Sequence, residues 1–208
     1  MDLASYFKNF GIAITGGVAT GKSFVAQLLR ERGRVVFDAD SLSREVMQPG
    51  TRAFEAIVGT FGREILDPAG KIDRRHLGRV VFGDKARRQD LEQIVHPAIR
   101  LLLESKVAAL QAKNLKKHWF YEAALVFETR QSHRFAQIWV TWCPESVQLE
   151  RIIQRDSKNR SAAMQIVGAQ APAEEKRRLA DVVVDTSGTK SSVSLFVDQL
   201  LRDLGDKE

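Results

Sequence analysis

The chain has 208 residues and a formal net charge of +6; 44% of its residues are hydrophobic and 28% are charged. These proportions are ordinary for a globular protein and argue against a disordered chain. Because no apolar stretch approaches the ~20 residues that span a bilayer, we expect no membrane partner.

The first residues, the single cysteine and the charge of the chain indicate its location and the class of its partners. Residues 1–8 lack the basic segment and apolar run of a signal peptide, and Cys143 is the only cysteine, which excludes an internal disulfide. We therefore expect a cytoplasmic protein. The positive charge suits a nucleic-acid surface or a pocket for polyanionic small molecules. Since most basic residues are dispersed among acids, we favour phosphate binding and expect no nucleic-acid partner.

The first predicted element is a buried strand at residues 10–15, and the loop after it, residues 16–23, matches the pattern G-x-x-x-x-G-K-[ST]. Apolar residues at helical spacing follow the loop, so the order of strand, loop and helix is the one that a phosphate-binding loop requires. A glycine-rich turn with a chance lysine is the less favoured alternative. The residues expected to bind the nucleotide are Gly17, Ala19, Thr20, Gly21, Lys22, Ser23 and Phe24.

Two side chains of this loop have specific chemistry. Lys22 is expected to contact the transferring phosphate, and the Ser23 hydroxyl to bind the Mg²⁺ that accompanies the nucleotide. The glycines let backbone N–H groups turn toward the phosphates, and the start of the next helix adds a partial positive charge.

The second predicted strand, residues 34–38, ends at Asp38, and Asp40 follows two residues later. In a strand, the period of two would direct both carboxylates to the same side; the alternative is that the chain has already left the strand at Asp40. Phosphoryl transfer to a hydroxyl needs a carboxylate that accepts the proton, and Asp40 suits this role. An equally good interpretation is that Asp40 caps a helix beginning at Ser41; the two roles are compatible.

About eighty residues between the second and third strands have a helical pattern, with Pro97 as an expected interruption. An insertion of this length at the carboxyl end of a parallel sheet is well placed to form one wall of a ligand cleft. It contains His96, and a lone histidine is more often structural than catalytic.

The remaining strands are predicted at residues 118–124, 136–142 and 181–185. Their alternation with helices predicts an α/β fold with a mostly parallel five-stranded sheet.

After the fourth strand, Arg151 and Arg155 lie four residues apart on one face of a predicted helix. This helix leads into a polar loop and a short helix at about residues 156–172, which we interpret as a small lid. Two guanidinium groups beside a lid can bind phosphates. The alternative is that they pair with Glu150 and Asp156 on an exposed helix.

Taken together, these motifs resemble those of dephospho-coenzyme A kinases over nearly the whole chain. The matching segments are residues 14–17, 21–23, 38–40, 44–46, 49–50, 61–62, 72–75, 77–78, 81–82, 96–99, 125–128, 148–151, 155–156, 169–171, 176, 180–185 and 187–188. The resemblance implies a P-loop NTPase-type three-layer sandwich with a helical substrate-binding insertion and a lid. It also implies ATP as the phosphoryl donor and the ribose 3′-hydroxyl of dephospho-CoA as the acceptor, the final step of coenzyme A synthesis.

The resemblance further implies roles for the matching residues. The catalytic residues would be Asp40 as general base, Lys22, Arg151 and Arg155. The acceptor would contact Asp38, Arg44 and His96. The chain departs from the family pattern at Phe24, Ala124 and Thr186, where threonine, proline and asparagine are common.

We interpret the chain as a single kinase domain of residues 1–208. Its nucleotide-binding core would comprise about residues 10–48 and 118–208, and its acceptor-binding insertion about residues 50–117. The expected partner is a small-molecule substrate, and the sequence predicts no particular oligomeric state. Two alternatives remain: another small-molecule P-loop kinase, acting on a nucleoside monophosphate or a sugar acid, and a P-loop nucleotide-binding switch or nucleic-acid-binding module.

Overall fold

The computed structural model describes residues 1–113, 116–169 and 173–205. At its centre is a five-stranded parallel sheet with the strand order β2-β3-β1-β4-β5. The strands are β1 (Gly11–Gly16), β2 (Val36–Asp38), β3 (Trp119–Glu122), β4 (Gln137–Trp142) and β5 (Val182–Asp185). The five predicted strands are therefore confirmed, with ends that differ by at most two residues.

Ten α-helices are found in the described ranges. They are α1 (Leu3–Phe10), α2 (Lys22–Glu31), α3 (Ala39–Val46), α4 (Arg52–Phe61), α5 (Arg74–Val81), α6 (Lys85–Ala112), α7 (Glu145–Asp156), α8 (Arg160–Gly168), α9 (Ala173–Arg178) and α10 (Lys190–Asp203). None of these helices is both long and apolar enough to cross a membrane.

The sheet forms the middle of three layers because its strands alternate apolar side chains between two covered faces. On one face, Ile12 and Ile14 of β1 pack with residues of α2 and α10 in one buried cluster. On the other face, Trp119 of β3 contacts Phe7 of α1 and Phe135 at ring-centroid distances of 4.8 and 6.1 Å. This layering confirms the predicted P-loop NTPase-type sandwich.

The chain divides into two compact units, each with its own core. The first comprises Met1–Asp38 with Asn114–Glu208 and contains the sheet; the second, Ala39–Lys113, contains α3 to α6. The core of the second unit is built from Phe54, Ile57 and Ile65 together with apolar residues of α5 and α6.

The expected interruption at Pro97 is wrong. Helix α6 runs for 28 residues with Pro97 inside it. Proline removes one helical hydrogen bond, to the carbonyl four residues earlier, and normally disfavours a continuous helix. Here Val95 and Leu103 on either side of the proline are buried, and packing of these side chains compensates for the lost hydrogen bond.

Candidate active site

The phosphate-binding motif forms the loop between β1 and α2. Ala19 and Gly21 have positive φ angles of 57° and 88°, and Gly16 has a φ of 152°. A Cβ atom on Gly16 would overlap Thr141 and would lie 2.7 Å from the Thr20 hydroxyl oxygen. Glycine is therefore required at residue 16 by the close approach of β4 as well as by its backbone angle.

Two threonines fix this loop onto β4. The hydroxyl oxygens of Thr20 and Thr141 are 2.8 Å apart, and the Thr20 hydroxyl lies 2.8 Å from the Gly17 carbonyl oxygen, to which it donates. Both threonines are fully buried. Because buried hydroxyl groups need partners, these bonds hold the loop in one conformation.

Helix α2 begins at Lys22 without a side-chain cap. Its N-cap residue is Gly21, and no side chain accepts a hydrogen bond from the first turn. By contrast, side chains cap six other helices, at Asp2, Thr51, Asp73, Asp84, Asn159 and Thr189. The first-turn N–H groups of α2 lack intrahelical acceptors, so this uncapped end is suited to bind an anion.

The polar side chains at the start of α2 differ in their surroundings. The Lys22 ammonium donates to the carbonyl oxygens of Gly16 and Gly17 at 3.1 and 3.0 Å, so the side chain folds back over the loop. Ser23 is exposed, and its hydroxyl makes no hydrogen bond to any residue that the structure describes. An exposed hydroxyl beside a phosphate-binding loop fits an Mg²⁺ ligand, since this ion prefers oxygen donors and retains several waters.

Arg151 of α7 contacts the phosphate-binding loop directly. Its guanidinium donates to the Ala19 carbonyl oxygen at 3.1 Å, to the Thr186 carbonyl oxygen at 2.6 Å and to the Thr186 hydroxyl at 3.2 Å. Thr186 in turn donates its hydroxyl proton to the Thr20 carbonyl oxygen at 2.7 Å. These partners, rather than Glu150, satisfy Arg151, so the alternative of an ion pair with Glu150 is not observed.

Arg155 has a different environment. It pairs with Asp156 through two hydrogen bonds of 2.7 and 2.8 Å, and 62% of its side chain is exposed. The Arg155 side chain holds the pKa of the Asp156 carboxyl below its usual range. The sequence alternative of an exposed ion pair therefore applies to Arg155 and not to Arg151.

Of the two expected arrangements of Asp38 and Asp40, the structure has the one in which the chain leaves the strand before Asp40. Asp38 is the last residue of β2, but Asp40 lies in the first turn of α3, which begins at Ala39. The two-residue period of a strand therefore does not relate the carboxylates, and Asp40 is not the cap of a helix beginning at Ser41. A carboxylate in a first turn still interacts favourably with the helix dipole.

The two predicted acceptor-side residues of the second unit lie in different surroundings. Arg44 is exposed on α3. His96 of α6 lines a cavity of about 240 Å³, whose wall also contains Ser43, Met47, Arg74, Leu77, Gly78, Leu91, Glu92 and Val95. Sequence reasoning did not single out Arg74 for this site; its signal was its position in the family-like segment of residues 72–75.

A second cavity, of about 390 Å³, lies beside the phosphate-binding loop within the first unit. Its wall is formed by Gly17, Val18, Trp142, Cys143, Pro144, Glu145, Gln148, Val167, Gly168, Ala173 and Glu174. Burial raises the pKa of the Cys143 thiol, so this group is a neutral part of the wall. Val167 and Gly168 at the end of α8, and Ala173 and Glu174 at the start of α9, contribute one side of the cavity.

A buried lysine paired with an exposed carboxylate anchors α9. The Lys176 side chain is 2% exposed, and its ammonium lies 2.7 Å from Glu128 Oε1 and donates to the Ala124 carbonyl oxygen at 2.9 Å. The same carbonyl oxygen accepts a hydrogen bond from the Thr15 hydroxyl at 3.2 Å. Ala124, where the family commonly has proline, thus joins β1 to α9 through its backbone.

Comparisons with known proteins agree with this geometry. A model of the dephospho-CoA kinase family matches residues 10–192. A dephospho-CoA kinase of Geobacter sulfurreducens is 41% identical over 189 residues, which cover 91% of this chain and 95% of that protein.

Solved structures give the same result. A protein from Thermus thermophilus has a TM-score of 0.78 at 31% identity and covers 94% of this chain and 97% of its own. A dephospho-CoA kinase from Campylobacter jejuni has a TM-score of 0.66 at 26% identity, with coverage of 95% and 98%. With a family model and curated relatives that span most of its length, and with the loop geometry described above, the chain belongs to the dephospho-CoA kinase family.

Proposed function

We propose that this kinase binds the phosphates of ATP at residues 16–23 and transfers the terminal phosphoryl group to the 3′-hydroxyl of dephospho-CoA with the residue roles set out below. Membership of the family makes the chain a kinase of coenzyme A synthesis that uses ATP and acts on this small-molecule acceptor. The main observation in support of these roles is that α2 begins without a side-chain cap, directly after a loop in which Ala19 and Gly21 have positive φ angles of 57° and 88°.

Lys22 supplies the mobile positive charge. In the described conformation two loop carbonyl oxygens hold its ammonium. A phosphate oxygen is a stronger acceptor than a carbonyl oxygen, so bound nucleotide draws the ammonium toward the phosphates. In phosphoryl transfer most of the rate acceleration comes from such positioning and charge neutralisation.

Ser23 is the proposed protein ligand of Mg²⁺. When bound, Mg²⁺ supplies neutralisation of the charge on the phosphate oxygens. Ser23 fits this role because its hydroxyl is exposed at the second residue of α2, adjacent in the chain to Lys22.

Asp40 is the proposed general base. A carboxylate that accepts the proton of the attacking hydroxyl raises its nucleophilicity and typically contributes ~10²–10⁴-fold to the rate. Asp40 is exposed in the first turn of α3, two residues after the end of β2. Asp38, at the end of β2, is a proposed acceptor contact.

The two arginines of α7 have separate proposed roles. Arg151 maintains the conformation of the phosphate-binding loop through its bonds to Ala19 and Thr186. Arg155, held by a single neighbouring carboxylate on an exposed surface, exchanges that partner for the transferring phosphoryl group.

The cavity of the second unit is the proposed contact for the diphosphate of dephospho-CoA. His96 and Arg74 lie in its wall and provide donors for phosphate oxygens. Met47, Leu77 and Val95 give it an apolar floor. Arg44, exposed on α3, is a further proposed acceptor contact.

The basic charge of the chain is better explained by these two phosphate-rich substrates than by nucleic acid. We accordingly propose no nucleic-acid partner, and a switch or nucleic-acid-binding module is not favoured by the family relationship. A cytoplasmic location is proposed from the buried thiol of the single cysteine and the use of ATP.

The test is a transfer assay with MgATP and a panel of hydroxyl acceptors. The panel contains dephospho-CoA, a nucleoside monophosphate, shikimate and gluconate. We expect transfer to dephospho-CoA alone, lost in Lys22→Ala. Preferential transfer to another acceptor would refute the proposed function, and unchanged turnover of Lys22→Ala would remove the loop from the mechanism.

A further inference from the structure

Gln148 is buried, but only one end of its amide group is engaged by the described residues. Its side-chain nitrogen Nε2 donates to the Cys143 carbonyl oxygen at 3.2 Å, and the residue is 3% exposed. A carbonyl oxygen can only accept, so this bond fixes which end of the amide is NH₂. The oxygen Oε1 must therefore be at the other end of the group.

The oxygen Oε1 of Gln148 faces the phosphate-binding loop. A Cβ atom built on Gly17 would lie 3.3 Å from it. Within the described part of the chain, Oε1 receives no hydrogen bond. Among the described residues only Trp119 Nε1 is a fully buried side-chain polar atom without a partner, so Gln148 Oε1 is accessible from the cavity that Gln148 lines. An accessible acceptor that no protein group engages can receive a hydrogen bond from a ligand.

The 390 Å³ cavity that Gln148 lines does not suit a phosphate group. Among the described residues its wall contains two carboxylates, Glu145 and Glu174, and no lysine, arginine or histidine. Arg177 lies nearby, but Glu174 at 3.5 Å and the Trp142 ring at 4.4 Å engage its guanidinium. The remaining wall is largely apolar. An uncharged group with hydrogen-bond donors and apolar surfaces is the occupant that this lining favours.

The position of the 390 Å³ cavity indicates which uncharged part of the substrate occupies it. Gly17 and Val18 belong both to its wall and to the loop that binds phosphates. For transfer, the acceptor hydroxyl must come within ~3–3.5 Å of the phosphorus atom. The uncharged part of dephospho-CoA nearest to that hydroxyl is the ribose that carries it, and the 2′-hydroxyl, on the neighbouring carbon, is a donor.

We propose that Gln148 Oε1 accepts a hydrogen bond from the 2′-hydroxyl of the acceptor ribose, so that Gln148 determines specificity for a ribonucleotide over a 2′-deoxyribonucleotide acceptor. The inference rests on the proposed function, because it assumes dephospho-CoA as acceptor. An amide suits this role because it orients the ribose without competing with the general base for the proton of the 3′-hydroxyl.

The test compares dephospho-CoA with its 2′-deoxy analogue in the parent enzyme and in Gln148→Met, which keeps the length of the side chain and removes the amide. We expect the parent to prefer the ribose acceptor by ~10-fold or more in kcat/KM. In Gln148→Met that preference should disappear, because activity on dephospho-CoA falls while activity on the 2′-deoxy analogue is retained. The KM for ATP should not change.

Three controls keep the outcomes distinct. Gln154→Met, an exposed substitution on the same helix, should retain the parent's preference. An acceptor with hypoxanthine in place of adenine tests whether Gln148 contacts the nucleobase instead of the ribose. If Gln148→Met abolishes a preference for adenine but keeps the preference for ribose, the proposal is refuted. The proposal is also refuted if the parent enzyme has the same kcat/KM for dephospho-CoA and for its 2′-deoxy analogue. This measurement does not depend on whether a variant folds. Absence of any transfer to dephospho-CoA would instead refute the proposed function.

Discussion

Replacing Arg151 by methionine separates a loop-holding role from a catalytic one. The substitution keeps much of the aliphatic side chain. It removes three hydrogen bonds to oxygen, at the Ala19 and Thr186 carbonyls and the Thr186 hydroxyl, and a long one of 3.6 Å to Cys143 Sγ. A hydrogen bond from a charged donor contributes about 1.5–3 kcal/mol, and three that share one guanidinium are not additive. We expect a loss of about 3 kcal/mol in the free energy of unfolding.

This loss is large enough to measure. For a chain of this size each kcal/mol lowers Tm by about 2–4 °C, so Arg151→Met should unfold roughly 6–12 °C below the parent. Arg155→Met is the matched control on the same helix. Its side chain is mostly exposed and has only Asp156 as partner among the described residues, so it should lie within about 2 °C of the parent while kcat falls more than KM rises.

The assay is calorimetric unfolding together with steady-state kinetics for both variants, in ATP and in dephospho-CoA. Thr186→Val completes a double-mutant cycle, because it removes the hydroxyl that links Arg151 to the Thr20 carbonyl. The effects of Arg151→Met and Thr186→Val should be less than additive. A parent-like Tm for Arg151→Met, or full additivity, would contradict the role assigned to this network.

Four further predictions concern single groups. Lys22→Ala should lower kcat by ~10² or more, because it removes a positive charge that positions and neutralises the phosphates; single-turnover transfer checks this. Asp40→Asn keeps nearly the same side-chain volume but removes the proton acceptor, so it should slow the chemical step by ~10² or more while the protein stays folded; near-parent turnover would exclude the base role. Lys176→Met removes the bonds of a buried ammonium to Glu128 and to the Ala124 carbonyl oxygen and should destabilise by about 1–3 kcal/mol in denaturant unfolding, whereas Glu128→Gln, which changes only the exposed partner, should cost less. The Arg32 side chain lowers the pKa of Asp198, so this pair stabilises the fold above pH ~4 and the effect is lost as pH falls through the lowered pKa; the Tm difference between the parent and Asp198→Asn should therefore shrink in acid.

The sheet and the phosphate-binding loop were predictable because their signals are local. A short apolar run followed by a glycine-rich pattern predicts both β1 and the loop, and the structure contains them within one residue of the expected bounds. Helix α1 was not predicted. Its two buried aromatic residues, Tyr6 and Phe7, pack on the sheet, and tertiary contacts of this kind have no local signature.

The two arginines show where the sequence pattern reaches its limit. A spacing of four residues predicts that Arg151 and Arg155 share a helix face, but their partners depend on the folded chain. Arg151 donates to Thr186, which is 35 residues later in the chain, whereas Arg155 donates to Asp156, its immediate neighbour. Gln148 was part of a family-like motif, yet only the structure reveals which end of its amide the neighbouring backbone engages.

Helix boundaries account for the remaining differences. Aspartate commonly caps helices, so Asp40 before Ser41 suggested a cap, whereas α3 starts one residue earlier than Asp40. Proline commonly ends helices, yet α6 continues through Pro97 because burial on both sides outweighs one missing bond. In both cases tertiary packing decides between two locally acceptable conformations.

The three tryptophans give the protein an intrinsic optical probe. Trp119 and Trp139 are 1% and 0% exposed in the core of the sheet, away from solvent. Trp142 is half-buried, lines the cavity beside the phosphate-binding loop and lies under the Arg177 guanidinium. An acceptor that enters this cavity changes the polarity around one indole ring while the other two keep constant surroundings. Tryptophan emission therefore reports occupancy of the cavity without any label, and Trp142→Phe identifies the part of the signal that comes from it.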